Sequence, residues 1–256
     1  MNNRKVVFFD IDGCYFDKGV HQEYISKYLK EKDIDIIFCT GRSYIRAKAV
    51  VSELELKGMP LILENGSRIM EFDGKVLFNS PITDDKIYDK LKEIDNNLII
   101  NGYGDSIDNQ FITFKKTIDF INCETYQDYG EFLAQCRKFE LSRIILVLLT
   151  DQAKLIQENL IKNKINCTMT DGNTLHITNK NISKRFGIEF CIKKFGYNLK
   201  NITIIGNDYN DIPSFTLNAK NKIAVIHDYS PKELKSMSTH TTDFTNLFKV
   251  VQQIFD

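Results

Sequence analysis

The chain has 256 residues, 43% hydrophobic and 27% charged, which is ordinary for a globular protein with a substantial core. Its 34 Lys and Arg residues balance 34 Asp and Glu residues, so composition gives no support to nucleic acid or an anionic membrane as a partner. No apolar run is long enough to span a bilayer, and Asp10 interrupts the first one too early for a signal peptide. The six scattered cysteines contain no Cys-x-x-Cys pair, which predicts a cytoplasmic location without disulfides or a zinc site.

The first strong pattern is the run Val6-Val7-Phe8-Phe9, which predicts a buried strand ending at Asp10-Ile11-Asp12-Gly13. Ligands bind at the carboxyl ends of the strands in an open parallel sheet, so two carboxylates at this point indicate a ligand site. Mg2+ between the carboxylates, or protonation of one of them, would make the like charges tolerable. The same residues could form only a turn, or a calcium loop, although Cys14 stands where that loop needs its third acidic residue.

Strand and helix patterns alternate up to about residue 80, which indicates parallel βα units. The predicted elements are a helix over 21–32, a strand over 35–39, a helix from an N-cap at Ser43 to about Leu56, and a strand over 60–63. Thr40-Gly41-Arg42 follows the second strand, and Asn65-Gly66 after the third predicts a hairpin turn.

The pattern changes between residues 82 and 178, a block long enough to be a small α+β domain. Helices are predicted over 82–94, 126–139 and 153–162, and strands over 98–100, 111–114, 144–149, 167–169 and 174–177. The last two strands could form a hairpin around Asp171-Gly172-Asn173.

The βα pattern then returns. Ser183 is the predicted N-cap of a helix that ends at Phe195, before Gly196. The later predicted elements are a strand over 202–205, a helix that begins near Pro213, a strand over 223–226, and helices over 231–237 and 244–255.

Polar groups at four of these element ends suit phosphoryl transfer. Asp10 can attack phosphorus, and Asp12 can protonate the leaving oxygen and later take a proton from water. Thr40 and the amides of the following helix start can hold phosphate oxygens, while Lys184 can offset the charge of Asp10. Residues 207–211 can complete an Mg2+ site. Each motif alone has an ordinary explanation as a strand exit, a solvated lysine or a helix cap, so the hypothesis depends on their joint occurrence.

Together the motifs resemble those of the haloacid dehalogenase-like hydrolases. They are Asp10-Ile11-Asp12-Gly13, Thr40-Gly41-Arg42, Ser183-Lys184 and Gly206-Asn207-Asp208-Tyr209-Asn210-Asp211. The insert lies where the Cof-type phosphatases, a branch that also holds sugar-phosphate phosphatases and phosphomannomutases, carry their class-two cap. The resemblance implies an α/β fold with a Rossmann-like parallel-sheet core over residues 1–81 and 179–256, and an inserted α+β cap domain over 82–178.

The resemblance also implies Mg2+ as cofactor, a small phosphorylated substrate and roles for particular residues. Catalysis falls to Asp10 and Asp12, phosphate binding to Thr40, Gly41, Lys184 and Asn210, and metal binding to Asp10, Asp12, Asn207 and Asp211. Two positions depart from the family pattern, since Cys14 replaces a threonine and Asn207 replaces an aspartate. The carbonyl oxygen of Asn207 can still bind a metal, but it contributes no charge.

The predicted function is an Mg2+-dependent phosphatase that acts through an aspartyl-phosphate on a small phosphorylated metabolite, with sugar phosphates as candidates. A phosphomutase and a non-catalytic phosphate or metal sensor remain alternatives, and Asn207 favours the sensor. A response-regulator receiver is disfavoured, because its phosphoacceptor follows the third strand, where this chain has Glu64-Asn65. Asn65-Gly66 is interpreted as a turn only, and the sequence leaves the substrate and the oligomeric state open.

Overall fold

A computed structural model describes residues 4–51, 56, 58–105, 111–115 and 123–256. The chain divides into two units, Met1–Phe78 with Ser183–Asp256, called here the core unit, and Asn79–Ile182, called the inserted unit. The sequence prediction places the two junctions at 81/82 and 178/179. Within the described residues, no helix is both long and apolar enough to cross a membrane.

A five-stranded parallel sheet forms the centre of the core unit. In spatial order its strands are His240–Thr242, Asn221–Val225, Ile202–Gly206, Val6–Phe9 and Asp35–Phe38. The chain winds outward from the first strand on both sides, because Val6–Phe9 pairs with Ile202–Gly206 on one side and with Asp35–Phe38 on the other. In such sheets, ligands bind beyond the carboxyl ends of the strands at this switch point.

Alternate side chains of the first strand enter two different cores. Val7 and Phe9 pack with side chains of the helices Glu23–Glu31 and Leu247–Phe255. Val6 and Phe8 pack on the opposite face, with side chains of the helix Lys184–Phe195 among others. Burial on both faces explains why this strand is apolar at every position instead of alternating. The remaining core helices are Tyr44–Lys48, Ile212–Phe215 and Lys232–Met237.

The third predicted strand leaves the main sheet after a single bridge. Leu61–Leu63 contacts the sheet where Ile62 pairs with Cys39, and the Thr40 N–H donates to the Ile62 carbonyl at 2.9 Å. It then forms a hairpin with Arg68–Met70, which confirms the turn predicted at Asn65-Gly66. The strand Val76–Asn79 completes this three-stranded sheet, and Phe16–Asp17 with Val20–His21 form a separate small hairpin.

The inserted unit has its own six-stranded mixed sheet and its own core. In spatial order the strands are Cys123–Tyr126, Phe111–Phe114, Ile99–Asp105, Arg143–Leu148, Thr174–Thr178 and Asn166–Thr170. Its helices are Asp85–Lys92, Tyr129–Lys138 and Thr150–Lys162. This is the α+β composition predicted for the insert, and the last two strands form the predicted hairpin.

Some predicted elements were wrong at their boundaries. The strands Val76–Asn79, Cys123–Tyr126 and His240–Thr242 were not predicted. The helix predicted from residue 126 begins at Tyr129, because the Asp128 carboxylate accepts the Glu131 N–H at 2.7 Å and caps it. The helix predicted over 43–56 is Tyr44–Lys48, and residues 52–55 lie outside the described residues. All six cysteines are free, as predicted.

Candidate active site

A buried lysine joins two carboxylates at the carboxyl end of the central strand. Asp10 directly follows that strand, and its backbone N–H donates to the Ile205 carbonyl at 3.0 Å. Lys184 Nζ lies 2.6 Å from Asp10 Oδ1 and 2.7 Å from Asp211 Oδ1. None of the three side chains is more than 6% exposed. Because buried charges need partners, the three residues form one electrostatic unit.

This triad, defined as Asp10, Lys184 and Asp211, changes the ionisation of two of its members. Burial raises the pKa of Asp10 well above its ordinary value, and the Lys184 ammonium opposes that effect. Burial acts to lower the pKa of Lys184, but the Asp10 and Asp211 carboxylates outweigh it and raise that pKa well above its ordinary value. Lys184 therefore stays charged at neutral pH.

The helix Lys184–Phe195 places Lys184 at its first position. Ser183 is the N-cap, as predicted, and its Oγ accepts the Phe186 N–H at 3.2 Å. The Ser183 backbone passes close to Gly66, where an added Cβ would collide with the Ser183 carbonyl oxygen. Since Gly66 also has φ +96°, this position requires glycine on both grounds.

The loop after the strand Ile202–Gly206 is organised around Asp211. Asp211 Oδ2 accepts the backbone N–H groups of Asn207 at 2.9 Å and of Asp208 at 3.2 Å. Since Oδ1 accepts from Lys184, both oxygens of Asp211 already have donors. Asp211 thus fixes the loop and the lysine at once, whereas the sequence assigned it to the metal.

The two residues that depart from the family pattern lie against each other. The Cys14 thiol donates to Asn207 Oδ1 at 3.5 Å, and Asn207 Nδ2 donates to the Tyr229 hydroxyl at 3.2 Å. A Cβ on Gly13, which has φ +78°, would collide with Asn207 Nδ2. The His227 ring stacks on Tyr229 with centroids 5.0 Å apart, and its Nε2 lies 2.8 Å from the Gly13 carbonyl oxygen. The orientation of the Asn207 amide is therefore fixed partly by Tyr229, which sequence reasoning missed.

Asp12 is exposed, in contrast to Asp10, and is held by Arg42. The Asp12 side chain is 56% exposed. Arg42 Nε lies 3.1 and 3.0 Å from its two oxygens, and Nη2 lies 2.6 Å from Oδ1. Arg42 is itself positioned by a hydrogen bond from Nη1 to the Arg46 carbonyl at 3.1 Å and by the Phe16 ring, 5.4 Å from its guanidinium carbon. The sequence analysis quoted Arg42 only as part of its motif and did not predict this pair.

Thr40, Gly41 and Asn210 share one neighbourhood with Asn65. Thr40 is fully buried, its Oγ1 accepts the Arg42 N–H at 3.0 Å, and its carbonyl accepts the Asn65 N–H at 3.0 Å. Asn210 Nδ2 donates to Asn65 Oδ1 at 3.0 Å. A Cβ on Gly41 would lie 3.2 Å from Asn65 Oδ1 and 3.7 Å from Asn210 Nδ2. The structure thus brings these three predicted phosphate-binding residues together.

The available donors fit Mg2+ in chemical type. Asp10 has a carboxylate, Asp12 a backbone carbonyl and Asn207 an amide oxygen, all hard ligands of the kind that Mg2+ prefers. Among the described residues, no three His, Cys, Asp or Glu side chains form a ready-made metal site. Mg2+ commonly takes one or two protein carboxylates and completes its shell with water and substrate phosphate, so this donor set is sufficient.

Known proteins give a consistent family assignment. A family model described as haloacid dehalogenase-like hydrolase matches residues 7–254. A relative from Buchnera aphidicola subsp. Schizaphis graminum, named "Putative phosphatase", is 23% identical and covers 90% of this chain and 87% of its own length.

Two solved structures share the fold. A "putative HAD/COF-like hydrolase" from Plasmodium vivax is 21% identical, with a TM-score of 0.80 over 99% of this chain and 96% of its own. The HAD subclass IIB sugar phosphatase BT4131 is 15% identical, with a TM-score of 0.76 over 98% of each chain. These matches confirm the resemblance carried by the four motifs, and the chain therefore belongs to the Cof-type branch of the haloacid dehalogenase-like hydrolases.

Proposed function

We propose that this hydrolase is a cytoplasmic phosphatase that cleaves the phosphate ester of a small metabolite through phosphorylated Asp10. The observation that carries the proposal is the buried Asp10 carboxylate, held 2.6 Å from the Lys184 ammonium at the carboxyl end of the central strand. The names of the Buchnera relative and of the structural neighbour BT4131 support the same chemistry.

The reaction takes two steps. Asp10 attacks phosphorus while the bond from phosphorus to the leaving oxygen breaks, and the Asp12 carboxyl group gives its proton to that oxygen. Because Lys184 binds Asp10 Oδ1, we assign the attack to Oδ2. Water then attacks the phosphoaspartate, the Asp12 carboxylate takes a proton from that water, and inorganic phosphate leaves with Asp10 regenerated.

The remaining residues position the reacting groups. Arg42 fixes the orientation of the Asp12 carboxylate through two of its nitrogens. Thr40 with Gly41, Lys184 and Asn210 bind the oxygens of the transferred phosphoryl group. Asp10, Asp12 and Asn207 hold Mg2+, which supplies positive charge for those oxygens when it is bound.

The inserted unit, predicted as residues 82–178, is proposed to act as the cap that limits substrate size. Support comes from the likeness to BT4131, described as a sugar phosphatase, over 98% of both chains. Sugar phosphates are therefore the first substrate class to test.

The test is release of inorganic phosphate from p-nitrophenyl phosphate with Mg2+, followed by a screen of phosphorylated metabolites. The folded Asp10→Asn variant measures background phosphatase from the preparation. Conversion of a hexose 1-phosphate to an isomer without free phosphate would instead show a phosphomutase. Binding of phosphate without hydrolysis of any ester in the screen would favour the sensor.

A further inference from the structure

We propose that Asn65 is an additional phosphate-binding residue, with its side-chain amide donating to a phosphoryl oxygen. The inference rests on the proposed function only in taking the Thr40-Gly41 segment as the phosphate site. Asn65-Gly66 was interpreted from the sequence as a turn, and that interpretation explains the backbone of Asn65 but not its side chain.

The backbone of Asn65 could be supplied by glycine. Asn65 has φ 58° and ψ 29°, in the left-handed region, and its N–H donates to the Thr40 carbonyl at 3.0 Å. Asparagine tolerates this conformation better than most residues, but glycine adopts it without steric cost. A side chain at this position is therefore not needed for the turn.

The side chain is buried but only partly hydrogen-bonded. Asn65 is 5% exposed, and its Oδ1 accepts the Asn210 Nδ2 at 3.0 Å. Neither Asn65 Nδ2 nor Asn210 Oδ1 has a hydrogen-bond partner within the part of the chain that the structure describes. If nitrogen and oxygen were exchanged in both amides, the bond would survive with its direction reversed. The pair therefore presents one unpaired NH2 group and one unpaired carbonyl oxygen in either arrangement.

The position of the amide pair identifies the ligand chemistry. Asn65 Oδ1 lies 3.2 Å, and Asn210 Nδ2 3.7 Å, from the point where a Cβ on Gly41 would stand. Gly41 thus leaves the pair uncovered on the side of the Thr40-Gly41 segment. The oxygens of a phosphate dianion accept hydrogen bonds and do not donate them, so the unpaired NH2 is the donor that such an anion requires.

The experiment compares binding of inorganic phosphate by calorimetry, in Mg2+ buffer, for the wild type, Asn65→Gly and Asn65→Asp. Asn65→Gly keeps the backbone conformation and removes the amide, so we expect the dissociation constant for phosphate to rise about tenfold. Asn65→Asp keeps the size of the side chain but replaces the donor with an anion, so we expect a rise of about a hundredfold. The KM for an ester substrate should rise in the same order.

The matched control is Asn181→Gly, since Asn181 is also left-handed, with φ 66°, but is exposed and belongs to the inserted unit. It should bind phosphate like the wild type. Asn65→Gly should melt no lower than the wild type, which separates lost binding from lost folding.

Two results would overturn the inference: wild-type affinity for phosphate in both folded Asn65 variants, or an equal loss in Asn181→Gly. Phosphate binding that depends on Asn65, in a wild type that hydrolyses no ester, would refute the proposed function and support the inference.

Discussion

Removing the Lys184 ammonium group would leave two buried carboxylates without a counter-charge. In the wild type, Nζ lies 2.6 Å from Asp10 Oδ1 and 2.7 Å from Asp211 Oδ1. Methionine has a similar length and no charge, so Lys184→Met isolates the electrostatic contribution from packing. We expect this variant to be strongly destabilised and, at neutral pH, more destabilised than Asp10→Asn.

The size of the effect follows from the geometry. At 2.7 Å and an effective dielectric of about 20, one ion pair contributes roughly 6 kcal/mol before desolvation. Desolvation of the ammonium group offsets part of this attraction, and removing one partner from a buried ion pair costs about 3–5 kcal/mol in measured cases. We therefore expect Lys184→Met to lower the free energy of unfolding by about 3–5 kcal/mol at neutral pH.

The loss should depend on pH in a defined direction. Burial raises the pKa of Asp10 above its ordinary value of 3.8, and Lys184 opposes that rise. Without Lys184 the pKa of Asp10 rises further. A carboxyl group with a raised pKa in the folded state destabilises the fold above that pKa, and the effect vanishes below its unfolded-state pKa. The cost of Lys184→Met is thus largest at neutral pH and decreases as the pH falls toward the ordinary range of aspartate.

Urea unfolding of four proteins tests this reasoning: the wild type, Lys184→Met, Asp10→Asn and the double variant. The double variant should recover stability relative to Lys184→Met, because only one unpaired carboxylate remains. Lys193→Met in the same helix is the control, since Lys193 is exposed and the change should stay within about 0.5 kcal/mol. A loss below about 1 kcal/mol in Lys184→Met, or no recovery in the double variant, would show that the three charges are not coupled.

Three other substitutions test the proposed roles. Asp10→Asn should abolish turnover in a folded protein, because an amide is a poor nucleophile, and hydrolysis near the wild-type rate would remove Asp10 from the mechanism. Asn207→Asp adds a charged ligand, so the Mg2+ concentration for half-maximal activity should fall several-fold; superimposed titrations would exclude Asn207 as a ligand. Arg42→Lys keeps the charge but loses the two-nitrogen contact with Asp12, so kcat should fall several-fold while the free energy of unfolding changes by less than about 1 kcal/mol. Unchanged kcat would contradict the positioning role of Arg42.

Sequence patterns predicted the elements whose signals are local. Ser183 and Gly196 mark both ends of the helix Lys184–Phe195 correctly, because cap chemistry depends on residues within one turn. The strand Val76–Asn79 was missed because its residues are half-buried or exposed and show no apolar alternation. Its pairing partner, and not its own sequence, makes it a strand.

The same distinction applies to the candidate site. Motif order located Asp10 and Lys184, which the structure brings within 2.6 Å across 174 positions of the chain. It could not show that Tyr229 meets Asn207, because nothing in either segment specifies that contact. Asn65 was missed for another reason, since a turn is a sufficient explanation for Asn-Gly. Its place directly after a predicted strand, like that of Asp10, was the signal that could have drawn attention to it.

The charges of the site make phosphate and cation binding depend on each other. The triad carries one net negative charge, because Lys184 is shared by two carboxylates and has no surplus to offer an anion. A phosphate monoester, with about −1.5 to −2 charges at neutral pH, therefore meets a site that is already negative. A cation meets few free charges, because Asn207 is neutral and both Asp211 oxygens have donors. Each ligand should then raise the affinity of the other by the same factor. Asn207→Asp adds negative charge that attracts Mg2+ and repels phosphate, so it should tighten Mg2+ binding most when phosphate is absent.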